Sequence, residues 1–161
     1  MLKKLIEQIK KQVPYLQATL RLQINIVGSA NSKKQLINVD GIDLSNWRDQ
    51  LAAAPTGTIT DYVAAIQENN LRNSIFVDVT AHATVADTYA QLLSKAVSVV
   101  ACNKIACSSE YENYLNLKRL SRKYNAPFLF ETNVGAGLPI IDTLKHLVAS
   151  GDRIHKIQAV L

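Results

Sequence analysis

Apolar positions Leu2, Leu5, Ile6 and Ile9 recur at helical spacing through residues 2–12, and Pro14 predicts the end or a kink of that helix. Residues 22–27 (Leu-Gln-Ile-Asn-Ile-Val) alternate apolar and polar side chains, the period of a strand. Residues 28–32 read as a turn and 33–43 as polar and irregular. Asp43 or Ser45 is placed to cap a short helix running to Leu51, and Thr58 or Thr60 to cap another running to Asn69. A second strand falls at 74–80, a helix at 83–95 and a third strand at 97–100. Ser108 or Ser109 caps a helix running to Lys123, with Glu112 placed for a capping box. Pro127 precedes a strand at 128–130, a helix over 139–149 stops at Gly151, and 154–161 begin one more strand.

Strands alternating with helices imply a mainly parallel sheet with helices on both faces. The nearly uniform apolar character of 74–79 and 97–100 predicts strands buried on both sides. The expected fold is therefore α/β, a three-layer Rossmann-like domain. Such a domain begins with a strand and a G-x-G-x-x-G turn ahead of its first helix. Neither precedes residues 1–12, so the sequence predicts a fragment whose first strand is missing.

The segment 128–141 (Phe-Leu-Phe-Glu-Thr-Asn-Val-Gly-Ala-Gly-Leu-Pro-Ile-Ile) is a strand, a polar glycine-rich turn and a helix opened by Pro139. Gly135 and Gly137 permit backbone angles that would aim carbonyls or amides at one point. Either this turn binds a ligand, as strand-to-helix turns of α/β enzymes do, or it is a connector that needs two glycines.

Composition narrows the class. The chain has 161 residues, 48% hydrophobic and 19% charged, the make-up of one ordinary soluble domain. No apolar run approaches the ~20 residues of a membrane span. The opening segment is charged and amphipathic, unlike a signal peptide, which makes the cytoplasm the expected location. The net charge of +5 comes largely from Lys3, Lys4, Lys10, Lys11, Arg21, Lys118, Arg119, Arg122 and Lys123, on helix-like stretches without interleaved aromatics. Solvated helix faces explain them, and no nucleic-acid partner is expected. Cys102 and Cys107 form neither a C-x-x-C motif nor half of a zinc site, and read as free thiols. His82, His146 and His155 have no ligand spacing, so no zinc is expected.

The segment 132–140 (Thr-Asn-Val-Gly-Ala-Gly-Leu-Pro-Ile) resembles a signature of homoserine dehydrogenases. Pro14-Tyr-Leu, Leu20-Arg-Leu-Gln23, Gly28-x-Ala-Asn-Ser32, Asp40-Gly-Ile-Asp-Leu-Ser-Asn-Trp47, Val77-Asp-x-Thr80, Ala86-Asp87 and Asn103-Lys104 extend the likeness in order. Together they resemble the dehydrogenase half of bifunctional aspartokinase–homoserine dehydrogenases. The resemblance implies NAD(P)-dependent interconversion of aspartate semialdehyde and homoserine, in a parent protein that is a homo-oligomer. It also implies that residues 1–153 are the cofactor-binding domain and 154–161 the start of a second domain. That second domain carries the main acid–base groups, so the fragment alone is expected to be inactive.

Further site assignments follow from the same resemblance. The turn after Val27 holds Asn31, Ser32, Lys33 and Lys34 and no carboxylate, which favours NADP over NAD through Ser32 and Lys33. Thr80 and Ala30 would touch the cofactor. The following Ala81-His82 departs from the small hydroxyl residues usual there. Lys104 would hold the reacting oxygen or contact the cofactor, as a cation able to stabilise developing negative charge. Cys102 stands where the family often has proline. Carbonyls of Glu131, Val134, Ala136 and Leu138 would ligate a monovalent cation such as Na+, since hard cations take oxygen ligands. Ile140 occupies the place of a third glycine, which argues against a pyrophosphate loop. Two rivals remain on the residues alone: a non-catalytic nucleotide-binding module, and an interaction domain whose open sheet edge pairs with another chain.

Overall fold

The computed structural model describes residues 1–159, in two compact units, one over Met1–Leu71 and the other from Arg72 onward. In the first unit, α1 (Leu2–Leu20) continues through Pro14 instead of ending there. A missing N–H removes one bond of the ladder. The helix closes beyond it at Arg21, whose left-handed φ of 53° brings the Leu22 N–H back to the Leu16 carbonyl at 3.1 Å.

The expected strand at 22–27 is displaced. Its alternation is real, but regular pairing belongs to the next residues, β1 (Gly28–Ala30) and β2 (Gln35–Ile37), an antiparallel hairpin in the region expected to be a turn and an irregular stretch. Asn31 closes it, its side-chain oxygen accepting from the N–H groups of Lys33 (2.8 Å) and Lys34 (2.9 Å). Gly28 is required here, because a Cβ would overlap the Tyr62 hydroxyl.

Helix α2 (Trp47–Ala53) starts from Asn46, not from Asp43 or Ser45. The Asp43 carboxylate is turned back on the Ser45 N–H and hydroxyl (both 2.8 Å), which hold it below the usual carboxylate pKa. Helix α3 (Ile59–Asn69) has the expected Thr58 cap, completed by Asp61 as a capping box.

The second unit is built on a parallel three-stranded sheet, β3 (Ile75–Asp78), β4 (Ser98–Ala101) and β5 (Phe128–Leu129), in that order. Between β3 and β4 lie α4 (Ala83–Ala86) and α5 (Tyr89–Ser94), where one helix was expected. The Thr88 hydroxyl donates to the Val85 carbonyl at 2.7 Å, and the Thr88 N–H reaches the same oxygen at 3.1 Å. Side chain and backbone thus take the acceptor that the α-ladder would use. Next come α6 (Ile105–Ser108) and α7 (Tyr111–Lys123). Ser108 is spent inside α6 and Ser109 closes it, so α7 begins from Glu110 without the expected serine cap.

Helices α5 and α7 cover one sheet face, where Leu92, Leu93, Val99, Leu117 and Phe128 are buried. Tyr89 lies among them, its ring 6.5 Å from Phe76 and 5.9 Å from Phe128. The opposite face is more open than expected, with Ile75 63%, Val77 40% and Leu129 45% exposed. The strands alternate inward and outward despite their apolar composition. Helix α8 (Ile140–Ala149) sits on the open side, where Asp142 and Lys145 line a shallow pocket with Val100 and Leu129. It ends as expected at Gly151 (φ 100°). There the Gly151 and Asp152 N–H groups bond the Val148 and Leu147 carbonyls, a Schellman closure. Residues 154–159 form no strand, and the last two positions of that expectation lie outside the described residues.

Candidate functional site

Parallel strands direct their carboxyl ends one way, so the loops after β3, β4 and β5 gather at one edge of the sheet. Thr80, Asn103–Lys104 and the 131–138 turn are on these loops. Ala30, Ser32 and Lys33 belong to the hairpin of the first unit, Ala30 ending β1 and the other two exposed on its turn.

Asp78, the last residue of β3, is 1% exposed. Its carboxylate accepts from the Tyr89 hydroxyl (2.6 Å), the Asn103 side-chain amide (3.0 Å) and the Thr80 N–H (2.7 Å). Burial, and then the Asp78 carboxylate, push the Tyr89 phenol far above its ordinary range, so its hydroxyl stays a donor. Asn103, also 1% exposed, donates to the His82 carbonyl (3.0 Å) and accepts from the Ile105 N–H (3.1 Å). Its main-chain carbonyl accepts from the Asn133 side chain (3.3 Å). These buried partners hold the exposed residues Thr80 and Lys104. Among the described residues, the Lys104 ammonium makes no ion pair.

Sequence reading missed Asp78 and Tyr89 as parts of this arrangement. The available signal was a carboxylate inside an apolar strand, at the same parity as inward-facing Phe76.

The turn after β5 begins as a 3-10 segment, Glu131–Asn133. The Glu131 carboxylate accepts from the Ile141 N–H (2.8 Å) and the Asp142 N–H (2.9 Å), so it caps α8. Its main-chain oxygen accepts from Val134 at 3.3 Å, and that of Leu138 from Ile140 at 2.9 Å. The carbonyls of Val134 and Ala136 accept no hydrogen bond among the described residues. An all-oxygen set with two free carbonyls, and one spare lone pair on each of the other two, fits a hard monovalent cation in chemistry.

The left-handed residues of this turn are Gly135 (φ 71°) and Ala136 (φ 52°), whereas Gly137 lies outside that region, contrary to the expectation of paired glycines. A Cβ on Gly135 would also overlap the end of the Ile140 side chain, while one on Gly137 would meet nothing. Gly135→Ala is therefore expected to cost about 1–3 kcal/mol, mostly backbone strain because Ile140 can swing aside. Gly137→Ala is expected to cost nothing measurable. Thermal unfolding of the two variants checks this, and equal melting temperatures would contradict the assignment.

Cys102 and Cys107 are free thiols, and burial raises the Cys107 pKa against the opposing pull of Asn133 and Lys118. Lys118 and Lys145 each place their ammonium 5.7 Å from the Phe130 ring. Burial, then Lys145 and Arg122, lower the Lys118 pKa. Among the described residues, no helix is long and apolar enough to cross a membrane.

Parallel strands with helices on both faces, and polar loops collected at their carboxyl ends, define a Rossmann-like nucleotide-binding domain. The sequence profile described as "Homoserine dehydrogenase, NAD binding domain" matches residues 3–131. The chain belongs to this family. It is 36% identical over 158 residues to bifunctional aspartokinase/homoserine dehydrogenase 2, chloroplastic, of Arabidopsis thaliana, covering 97% of this chain and 17% of that protein. Identity is also 36% over 158 residues with the bifunctional aspartokinase/homoserine dehydrogenase of Haemophilus influenzae, covering 98% and 19%. A hyperthermophilic archaeal homoserine dehydrogenase solved in complex with NADPH shares the fold at a TM-score of 0.67 and 23% identity, over 88% of this chain and 44% of that chain. The chain thus spans less than a fifth of the length of these two bifunctional relatives.

Proposed function

We propose that this chain is the cofactor-binding part of an enzyme that interconverts L-aspartate 4-semialdehyde and L-homoserine using a nicotinamide dinucleotide. The carrying observation is the meeting of Thr80, Asn103–Lys104 and the 131–138 turn at the carboxyl ends of parallel strands in a member of this family. The nicotinamide, when bound, supplies or takes up the hydride. Thr80 and Ala30 are each read as cofactor contacts, one in each unit. Lys104 is exposed and makes no ion pair among the described residues, which suits its ammonium to hold the substrate oxygen and to offset charge developing on it. The carbonyls of Glu131, Val134, Ala136 and Leu138 hold a monovalent cation such as Na+. Residues 1–153 form the cofactor-binding domain. The Schellman closure at Gly151 ends α8, and residues 154–161 are read as the start of a second domain.

The cofactor preference is read as NADP. Ser32 and Lys33 are exposed on a turn without a carboxylate, where a 2′-phosphate finds a cation and a hydroxyl. Lys33 offers a point charge without the two-pronged geometry of arginine, so the gain is modest, about five- to tenfold in affinity. Fluorescence titration of the chain with NADPH and NADH tests this. Tighter NADPH binding, weakened by Lys33→Ala, is expected, and equal affinities would reject the preference.

A further inference from the structure

We propose that Asp78 is a positioning residue whose buried carboxylate sets the Lys104 loop relative to the Thr80 loop. Its function in ligand binding rests on the roles given above to Lys104 and Thr80, whereas the positioning itself does not.

Burying a carboxylate is costly unless it is well bonded, and an apolar side chain would serve simple packing better. The partners of Asp78 show what the carboxylate does. Tyr89 fastens it to the helix layer, and its other two bonds run to the loop after β3 and the loop after β4. Asn103 then grips the backbone on both sides of Lys104. Its side-chain oxygen receives the N–H of Ile105, just after Lys104, at 3.1 Å, and its main-chain oxygen, just before Lys104, receives Asn133 at 3.3 Å. The same Asn103 amide also donates to the His82 carbonyl of the first loop. Asp78 accepts from Asn103 and so fixes the rotation of that amide. If Asp78 is lost, the two loops keep their strands but lose their common reference.

Amide hydrogen exchange on the 161-residue chain reads this directly. In Asp78→Asn, one oxygen becomes an N–H2 group facing existing donors. Exchange at the Thr80 and Ile105 N–H groups is expected to rise about tenfold or more, with Val99 and Leu117 unchanged. The double variant Asp78→Asn, Asn103→Asp restores that donor–acceptor pair but leaves the His82 carbonyl without its donor, and is expected to recover part of the protection at Ile105. NADPH affinity, measured in parallel, should fall about tenfold in Asp78→Asn, with little further loss on adding Lys104→Ala.

Unchanged exchange at Ile105, or a uniform rise through the core, would overturn the proposal by leaving Asp78 local or merely structural. If Asp78→Asn does not fold, Asn103→Ala asks the same question from the other side. Faster exchange at Thr80 supports the coupling, and unchanged exchange rejects it. Selective loss of protection in Asp78→Asn, together with a wild-type chain that binds no NADPH, would sustain the positioning and sink the function proposed for Lys104 and Thr80.

Discussion

Lys104→Ala in a full-length protein carrying the proposed activity is expected to lower turnover by about 10- to 1000-fold while leaving the melting temperature within error. The two halves of this expectation have separate causes. Lys104 is exposed, forms no ion pair among the described residues and stands just ahead of α6, so folding gains little from its side chain. Its backbone is held by Asn103, which the substitution does not touch. What disappears is a cation at the carboxyl end of β4, where a reacting oxygen would gain charge. Lys104→Arg keeps the charge but spreads it over a wider planar group, and partial activity is expected. Steady-state kinetics with aspartate semialdehyde and NADPH, beside thermal unfolding, provide the measurement. Unchanged kinetics would remove Lys104 from the reaction.

The second large effect is on stability. Tyr89→Ala is expected to cost about 4 kcal/mol or more, and Tyr89→Phe about 1–2 kcal/mol. Alanine removes a fully buried ring packed between Phe76 and Phe128 and also takes a donor from Asp78. Phenylalanine keeps the packing and removes the donor alone. At roughly 2–4 °C per kcal/mol for a chain of this size, the two melting temperatures should be well separated. A pH series gives an independent check. The folded Tyr89 pKa is raised by burial, so its contribution is complete below the unfolded value of ~10 and lost as pH rises beyond it. Tyr89→Phe should therefore lose less stability than wild type between about pH 9 and 11. A parallel fall in both would show that Tyr89 does not carry the effect.

The parallel layer was legible from the apolar runs around 76, 99 and 128, because tertiary burial and local pattern agree there. The hairpin at 28–37 was not. Its strands are only three residues each, built from small and polar side chains, and Asn31 folds the turn through bonds that no periodicity encodes. The break at Thr88 was hidden for a similar reason, since one hydroxyl competing for the Val85 carbonyl leaves the apolar spacing intact. In the site, motif residues such as Thr80 and Lys104 could be picked out by their places at strand ends. The requirement that separates Gly135 from Gly137 could not, because it depends on a φ value and on where Ile140 points. Asp78 was quoted as part of a motif without a role, although its neighbours already marked it as a carboxylate facing the core.

The bonds around Asn103 also limit how this domain can be engineered or can diverge. The loops after β3 and β4 and the turn after β5 are separate in sequence, and each looks exchangeable on its own. Asn103 nevertheless joins them through His82, Ile105 and Asn133. A loop transplanted from a distant relative would bring its outward residues but leave behind the partner its neighbours were shaped to meet. New specificity is therefore reached by changing outward-facing side chains, or by moving all three segments together as one cassette.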